Sequence, residues 1–271
     1  LRFSLMPSPQ LKLERIVIGK AQDVKIEAAI IPVSSLAILD EQKEFDEAQL
    51  FTVNIDQDAI PRLAAWAQPQ TGKPGLRINR LKLSSVKLAL RGVELPGFEA
   101  TAVFGRDGGL QKAQLRDAKI SVELVANRDQ GLRASFSAKD WQPPVGPGIE
   151  ISSLTGTAVI SREQVTVSGI DGRLYGGALK GAATIKWGGS GLAAEGEFSL
   201  KGTDVGQLLP AFTREFIASG TLEMSAKFET QGQTPDELFA APRVAATFTL
   251  AKGTLNNVDV VRAIQSPSRG G

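Results

Sequence analysis

Two of the side chains that carry most protein chemistry are missing here, since the chain has no histidine and no cysteine. Histidine is the commonest general base near neutral pH and the commonest transition-metal ligand, so a Ser-His-Asp hydrolase is excluded. Without cysteine there is no thiolate nucleophile, no disulfide and no cysteine metal site. Carboxylates and lysines remain, yet they gather nowhere with recognisable catalytic spacing. The densest acidic run holds Asp40, Glu41, Glu44, Asp46 and Glu47. It lacks the turn glycine and ligand spacing of a calcium loop, and Lys43 sits inside it; a solvated connection is expected. The pairs Gly176-Gly177 and Gly188-Gly189 neither open a helix nor precede a P-loop lysine, so turns or bulges are expected instead of phosphate cradles. The chain is therefore expected to be no enzyme and to need no metal and no cofactor.

The charge balance narrows the partners. There are 31 Lys plus Arg against 29 Asp plus Glu, scattered instead of striped with aromatics, which argues against nucleic acid. With 42% hydrophobic and 22% charged residues, the chain has the composition of a folded protein. At 271 residues it exceeds the usual size of one compact core, so two domains or one elongated architecture are expected. The opening Leu1-Arg2-Phe3-Ser4-Leu5 has no initiator Met, positive leader or apolar signal core, which reads as an internal fragment. The longest nearly uncharged stretch, 28–39, is broken by Pro32 and Ser34-Ser35 and falls short of the roughly 20 residues a spanning helix needs. Any membrane anchor is expected in a region outside this chain.

The elements that would position a site are strands. Period-two alternation is clearest at 221–229, where Leu222, Met224, Ala226 and Phe228 alternate with Thr221, Glu223, Ser225 and Lys227. One face is apolar and the other wet. Val244, Ala246, Phe248 and Leu250 alternate in the same way, as do Phe198 and Leu200. Further strands are predicted at 11–18, 24–30, 50–55, 76–90, 97–104, 111–124, 132–137, 154–161, 165–174 and 179–187, separated by turns rich in Gly and Asp. The fold predicted is mainly β: a long antiparallel, curled sheet with about four short helices. Those helices are placed at 58–68, 204–216 and 257–265 and at Thr234, where an N-cap, Pro235 and Glu237 form a capping-box signature.

Three prolines and two glycines at 140–148 predict a hinge or sheet break. The segments are thus 1–139, a β-rich N-terminal part; 140–148, a junction; 149–265, a C-terminal β-groove; and 266–271, a frayed tail. So few helices leave the apolar strand face uncovered. It either closes as a sandwich against a second inner face or stays open as a trough for hydrocarbon. The face assigned to lipid comprises Leu179, Ala183, Ile185, Phe198, Leu200, Leu222, Met224, Phe228, Val244, Phe248 and Leu250. With only three Trp and one Tyr in the chain, such an aliphatic surface suits acyl chains better than peptides or sugars.

The run Leu154-Thr155-Gly156-Thr157-Ala158-Val159-Ile160-Ser161, followed by 165–183 with Leu174-Tyr175-Gly176-Gly177-Ala178-Leu179-Lys180-Gly181 at its centre, resembles the C-terminal region of the AsmA family. Leu200-Lys201-Gly202-Thr203-Asp204-Val205 is similar to that family's strand-to-helix step, and 253–260 to its closing element. The likeness spans about 150–265. It implies a protein anchored in the inner membrane of a Gram-negative bacterium and projecting into the periplasm, whose β-groove shields phospholipid acyl chains on the way to the outer membrane. It implies no catalytic residues. The alternative is an assembly scaffold that offers strand edges to envelope proteins during outer-membrane protein biogenesis.

Overall fold

A computed structural model describes residues 2–4, 9–19, 22–32, 43–56, 59, 76–89, 95–127, 131–188, 191–213 and 217–256. One sheet holds fifteen strands in sequence order. Its N-terminal part runs β1 (Arg2–Ser4), β2 (Gln10–Ile18), β3 (Val24–Pro32), β4 (Lys43–Asp56), β5 (Leu76–Ala89), β6 (Phe98–Phe104), β7 (Leu110–Arg116) and β8 (Ile120–Ala126). It continues through β9 (Leu132–Trp141), β10 (Ile151–Ile160), β11 (Gln164–Leu174), β12 (Gly177–Gly188), β13 (Gly191–Asp204), β14 (Ile217–Gly232) and β15 (Arg243–Asn256). The sheet is curled and unclosed.

Several expectations are corrected. The meander is not wholly antiparallel, because β4 and β5 pair in parallel. Parallel neighbours need a crossover instead of a hairpin; the helix expected at 58–68 lies outside the described residues apart from Ala59. The acidic run is no mere connection either, since from Lys43 onward it is strand, with the Glu44 carboxylate accepting from Arg77 and from Asn79 Nδ2. The strand predicted at 111–124 is two strands. Asp117 splits it, its Oδ1 accepting the backbone N–H groups of Lys119 at 2.6 Å and Ile120 at 2.7 Å, an Asx turn. The sheet also does not break at 140–148, because β9 and β10 pair on either side of it, Trp141 opposite Ile151.

Helices are fewer than the four expected. Among the described residues the single α-helix is α1 (Val205–Leu208), followed by the 3-10 turn Leu209–Ala211, so 204–216 is not one helix. Asp204 caps α1, its carboxylate accepting from the N–H of Gly206 at 2.8 Å. The segment after Thr234 is the 3-10 turn Asp236–Phe239, shorter than a true helix because Pro242 stops it. Glu237 reaches back to the Gln233 N–H at 2.7 Å, one residue before the position a capping box requires. The helix at 257–265 and the tail at 266–271 lie outside the described residues.

Left-handed residues interrupt several strands. Arg15 on β2, Thr52 on β4 and Ser85 on β5 all take φ between 51° and 54°, and the β5–β6 register shifts beside Ser85, between Leu83 and Val86. A bulge inserts a residue and raises the local twist. Thr52 and Ser85 stand level on the adjacent strands β4 and β5, between the pairs Phe51–Ser84 and Val53–Val86, so their distortions coincide. Gly202 on β13 and Gly220 on β14 mark register slips in the C-terminal strands. The left-handed Thr52 breaks the alternation on β4, which is why Leu50 and Val53, three apart, share a cluster.

The sheet is one layer. Every substantial strand-to-strand packing among the described residues joins hydrogen-bonded neighbours, so no second sheet lies against this one, and the sandwich alternative is not observed. The largest side chains fully removed from solvent are Val53, Val86 and Thr203; a sandwich of this size would bury leucines and phenylalanines completely. Two apolar clusters organise the face, one on Val24, Ile26, Val53 and Val86, the other on Ile151, Leu174, Leu200 and Leu222.

Candidate functional site

Cross-strand register assembles the candidate site. In the C-terminal part, Ile120, Ala138, Leu154, Gly172, Leu179, Leu200, Met224 and Phe248 stand opposite one another on successive strands, forming an apolar lane across the sheet. A companion lane through Ala29, Leu50, Leu83, Ala100, Leu115, Val122 and Phe136 carries the same face toward the N-terminal strands. Strands lie about 4.8 Å apart, so the twelve spacings from β3 to β15 make an apolar face about 58 Å wide.

All the residues assigned to lipid from the sequence share this face. Ala183, Phe228 and Val244 flank Gly196 across β12 to β15, Ile185 stands opposite Ala194, and Leu222 pairs with Leu250. Their exposure is graded: Leu200 and Leu222 are buried, Met224 and Phe228 half-buried, and Phe248 67% exposed on the edge strand. Neighbouring rings fill the space beside the glycines of this face. A Cβ on Gly156 would lie 2.5 Å from Cζ of Phe136, and one on Gly196 2.9 Å from the Phe228 ring. Large rings folded over cross-strand glycines restore the packing those glycines lack.

Features that the sequence did not point to complete the site. Val205 and Leu208 of α1 pack on the Leu200 and Leu222 cluster, as do Trp141 and Ile149 at the base of the β9–β10 loop. The turn between β11 and β12 places Tyr175 at φ 46° and Gly176 at φ 80°, a two-residue hairpin of the kind that needs positive φ at both positions. Gly177 follows because Thr203 sits against it: a Cβ there would lie 2.3 Å from the Thr203 Oγ1. Phe136 falls in the strand predicted at 132–137, whereas Trp141, assigned to the 140–148 junction, is the last residue of β9.

The opposite face is polar. Lys112 pairs with Glu123 at 2.7 Å, Lys82 with Glu47 at 3.0 Å and Lys186 with Glu195 at 2.9 Å. Hydrogen bonds lower the carboxyl pKa values: at Glu44 from Arg77 and then Asn79, at Glu47 from Gln49 and then Lys82, and at Glu123 from Lys112 and then Gln114. These are exposed pairs and stabilise little. Two depressions, of about 700 and 380 Å³, lie on this polar side, the larger lined by Lys180, Glu197, Ser199, Ser225, Lys227 and Thr247. Among the described residues no second sheet lies over the apolar face. Among the described residues no cluster of acidic side chains has the makings of a metal site.

Comparison of the chain with models of known families, with curated proteins and with solved structures finds no match.

Proposed function

We propose that this chain is a non-catalytic module that binds lipid and helps transfer it, shielding phospholipid acyl chains on its apolar face within a bacterial envelope. The observation that carries the reading is the apolar face itself, continuous from β3 to β15 and without a covering layer among the described residues. Water exposure of a sixteen-carbon chain costs about 0.8 kcal/mol per methylene, roughly 12 kcal/mol in all. A continuous hydrocarbon face removes most of that barrier with no chemistry, in keeping with a chain that has neither histidine nor cysteine. Acyl chains would slide along the lanes with head groups at the wet margin. The likeness of residues 154–183 to the AsmA family supports the same reading and implies a protein of the periplasm associated with the inner membrane.

Native mass spectrometry of detergent-free protein, followed by lipid extraction, tests the reading. Bound phospholipid is expected, and a chain that stays lipid-free after incubation with phospholipid vesicles overturns it. A scaffold role has one observation in its favour. Among the described residues nothing pairs with the far edge of β15, fourteen residues long, and such an edge can accept a partner strand. Capture of an unfolded outer-membrane strand by β15, with no lipid bound, would select that role.

A further inference from the structure

The loop between β9 and β10 does more than connect them. Its residues alternate in exposure, with Pro143, Val145, Pro147 and Ile149 half-buried and the residues between them exposed. The loop therefore has an apolar underside. Its base is tied down on the apolar side of the sheet: Trp141 and Ile149 pack on the Ile151, Leu174, Leu200 and Leu222 cluster, and the Glu150 N–H donates to the Tyr175 hydroxyl at 3.1 Å.

Its tip reaches a distant element. A Cβ on Gly146 would lie 2.8 Å from Cε1 and 2.9 Å from Cδ1 of Phe239, so the ring rests directly on the Gly146 backbone, which takes φ +85°. Phe239 ends the 3-10 turn between β14 and β15. That turn folds onto the same apolar side: the Thr230 hydroxyl donates to the Leu238 carbonyl at 2.6 Å, and Leu238 is buried. Thr230 stands opposite Ala194, in line with Phe228 and Gly196. From β10 to β14 is four strand spacings, about 19 Å, so the loop and the turn it meets together bridge β11, β12 and β13.

We infer that residues 142–150 form a flap across the C-terminal part of the apolar face, latched by Phe239 against Gly146, and that the flap must lift for an acyl chain to enter beneath it. This rests on the lipid-binding reading and adds a gate to it. Three prolines stiffen the flap, so it moves as a unit about its base. The latch is a single half-exposed ring on a glycine, a contact that opens without unpairing any strand.

The absence of cysteine makes a direct test available in the full chain. In Gly146→Cys/Phe239→Cys, oxidation is expected to cross-link the flap shut. Uptake of a pyrene-labelled phosphatidylglycerol from dioleoyl phosphatidylglycerol vesicles should then slow at least tenfold and recover on reduction. Phe239→Ala should take up the same probe several-fold faster than the parent chain. Failure of the folded double variant to cross-link, equal uptake by its oxidised and reduced forms, or no acceleration in Phe239→Ala each overturns the gate. Uptake by neither form nor by the parent overturns the lipid-binding reading and the gate with it, a result distinct from equal uptake by both.

Discussion

Phe248→Glu separates a lipid-bearing face from a structural one, because Phe248 lies in the lane opposite Met224 yet is 67% exposed. Full burial of a phenylalanine side chain contributes about 1.5–3 kcal/mol. Only a third of this one is covered, so its loss costs about 0.5–1 kcal/mol, and the new carboxylate keeps its water when no lipid is present. For a chain of this size that corresponds to a fall in Tm of about 1–4 °C. With lipid present the account reverses. A tail lying along the lane would strip water from an unpartnered charge at a cost of several kcal/mol, and each 1.4 kcal/mol is tenfold in affinity.

Phospholipid per chain, read by native mass spectrometry, should thus fall more than tenfold while the thermal melt barely moves. Leu200→Glu supplies the contrast: at 4% exposure the same carboxylate is buried without a partner and should cost several kcal/mol or prevent folding. Glu223→Leu, on the polar face opposite Lys201 and Thr249, should leave lipid unchanged. A folded Phe248→Glu that keeps its full lipid complement refutes the assignment of this face to hydrocarbon.

Gly177→Ala places a methyl group 2.3 Å from the Thr203 Oγ1 and 2.6 Å from its Cα, where backbone must give way, and a denaturant melt should show a loss of about 1–3 kcal/mol. Asp117→Ala leaves two backbone N–H groups without their acceptor and should cost about 1–2 kcal/mol in the same assay, with no effect on bound lipid. At Glu47 the folded carboxyl titrates below its ordinary value because Gln49 and then Lys82 hydrogen-bond to it, so its contribution is present above the ordinary carboxylate range and lost as pH falls through the lowered value. Lys82→Met should therefore reduce Tm slightly at neutral pH, and thermal melts at about pH 2 should show no difference from the parent chain.

Alternation made the strands legible because a half-buried strand repeats every two residues, and the residues on the lipid-assigned face could be named from it without error in parity. What alternation hides is a turn made by a side chain. Asp117 sits inside an otherwise unbroken run from Gln111 to Leu124, and only its Oδ1 geometry reveals the turn. Left-handed positions within strands are invisible for a related reason: Arg15, Thr52 and Ser85 are ordinary residue types in a conformation that usually calls for glycine. The helices were overcalled because capping chemistry at Asp204 and Thr234 starts a turn whether or not a full helix follows. The parallel pair was missed since register between β4 and β5 depends on the 57–75 connection, not on either strand's own pattern. The flap could not be foreseen, as proline and glycine in 140–148 exclude strand and helix but do not say where the chain goes.

Exposure along the C-terminal lane bears on where an acyl chain would first land. Leu200 and Leu222 are held at 4% and 9% by α1 and the loop beside them, whereas Val244 and Phe248 on β15 stand at 55% and 67%. Apolar surface left in water is the driving force for association, so the free energy available to an incoming tail is concentrated at the β15 side and small at the covered centre. Loading would begin at the edge strand and proceed inward as covering elements yield. The same asymmetry ties lipid to stability: a ligand that binds only the folded sheet stabilises it by about 2.7 kcal/mol at a hundred times its Kd. With no second sheet behind the layer among the described residues, that increment falls on β15, the edge strand whose apolar residues are most exposed.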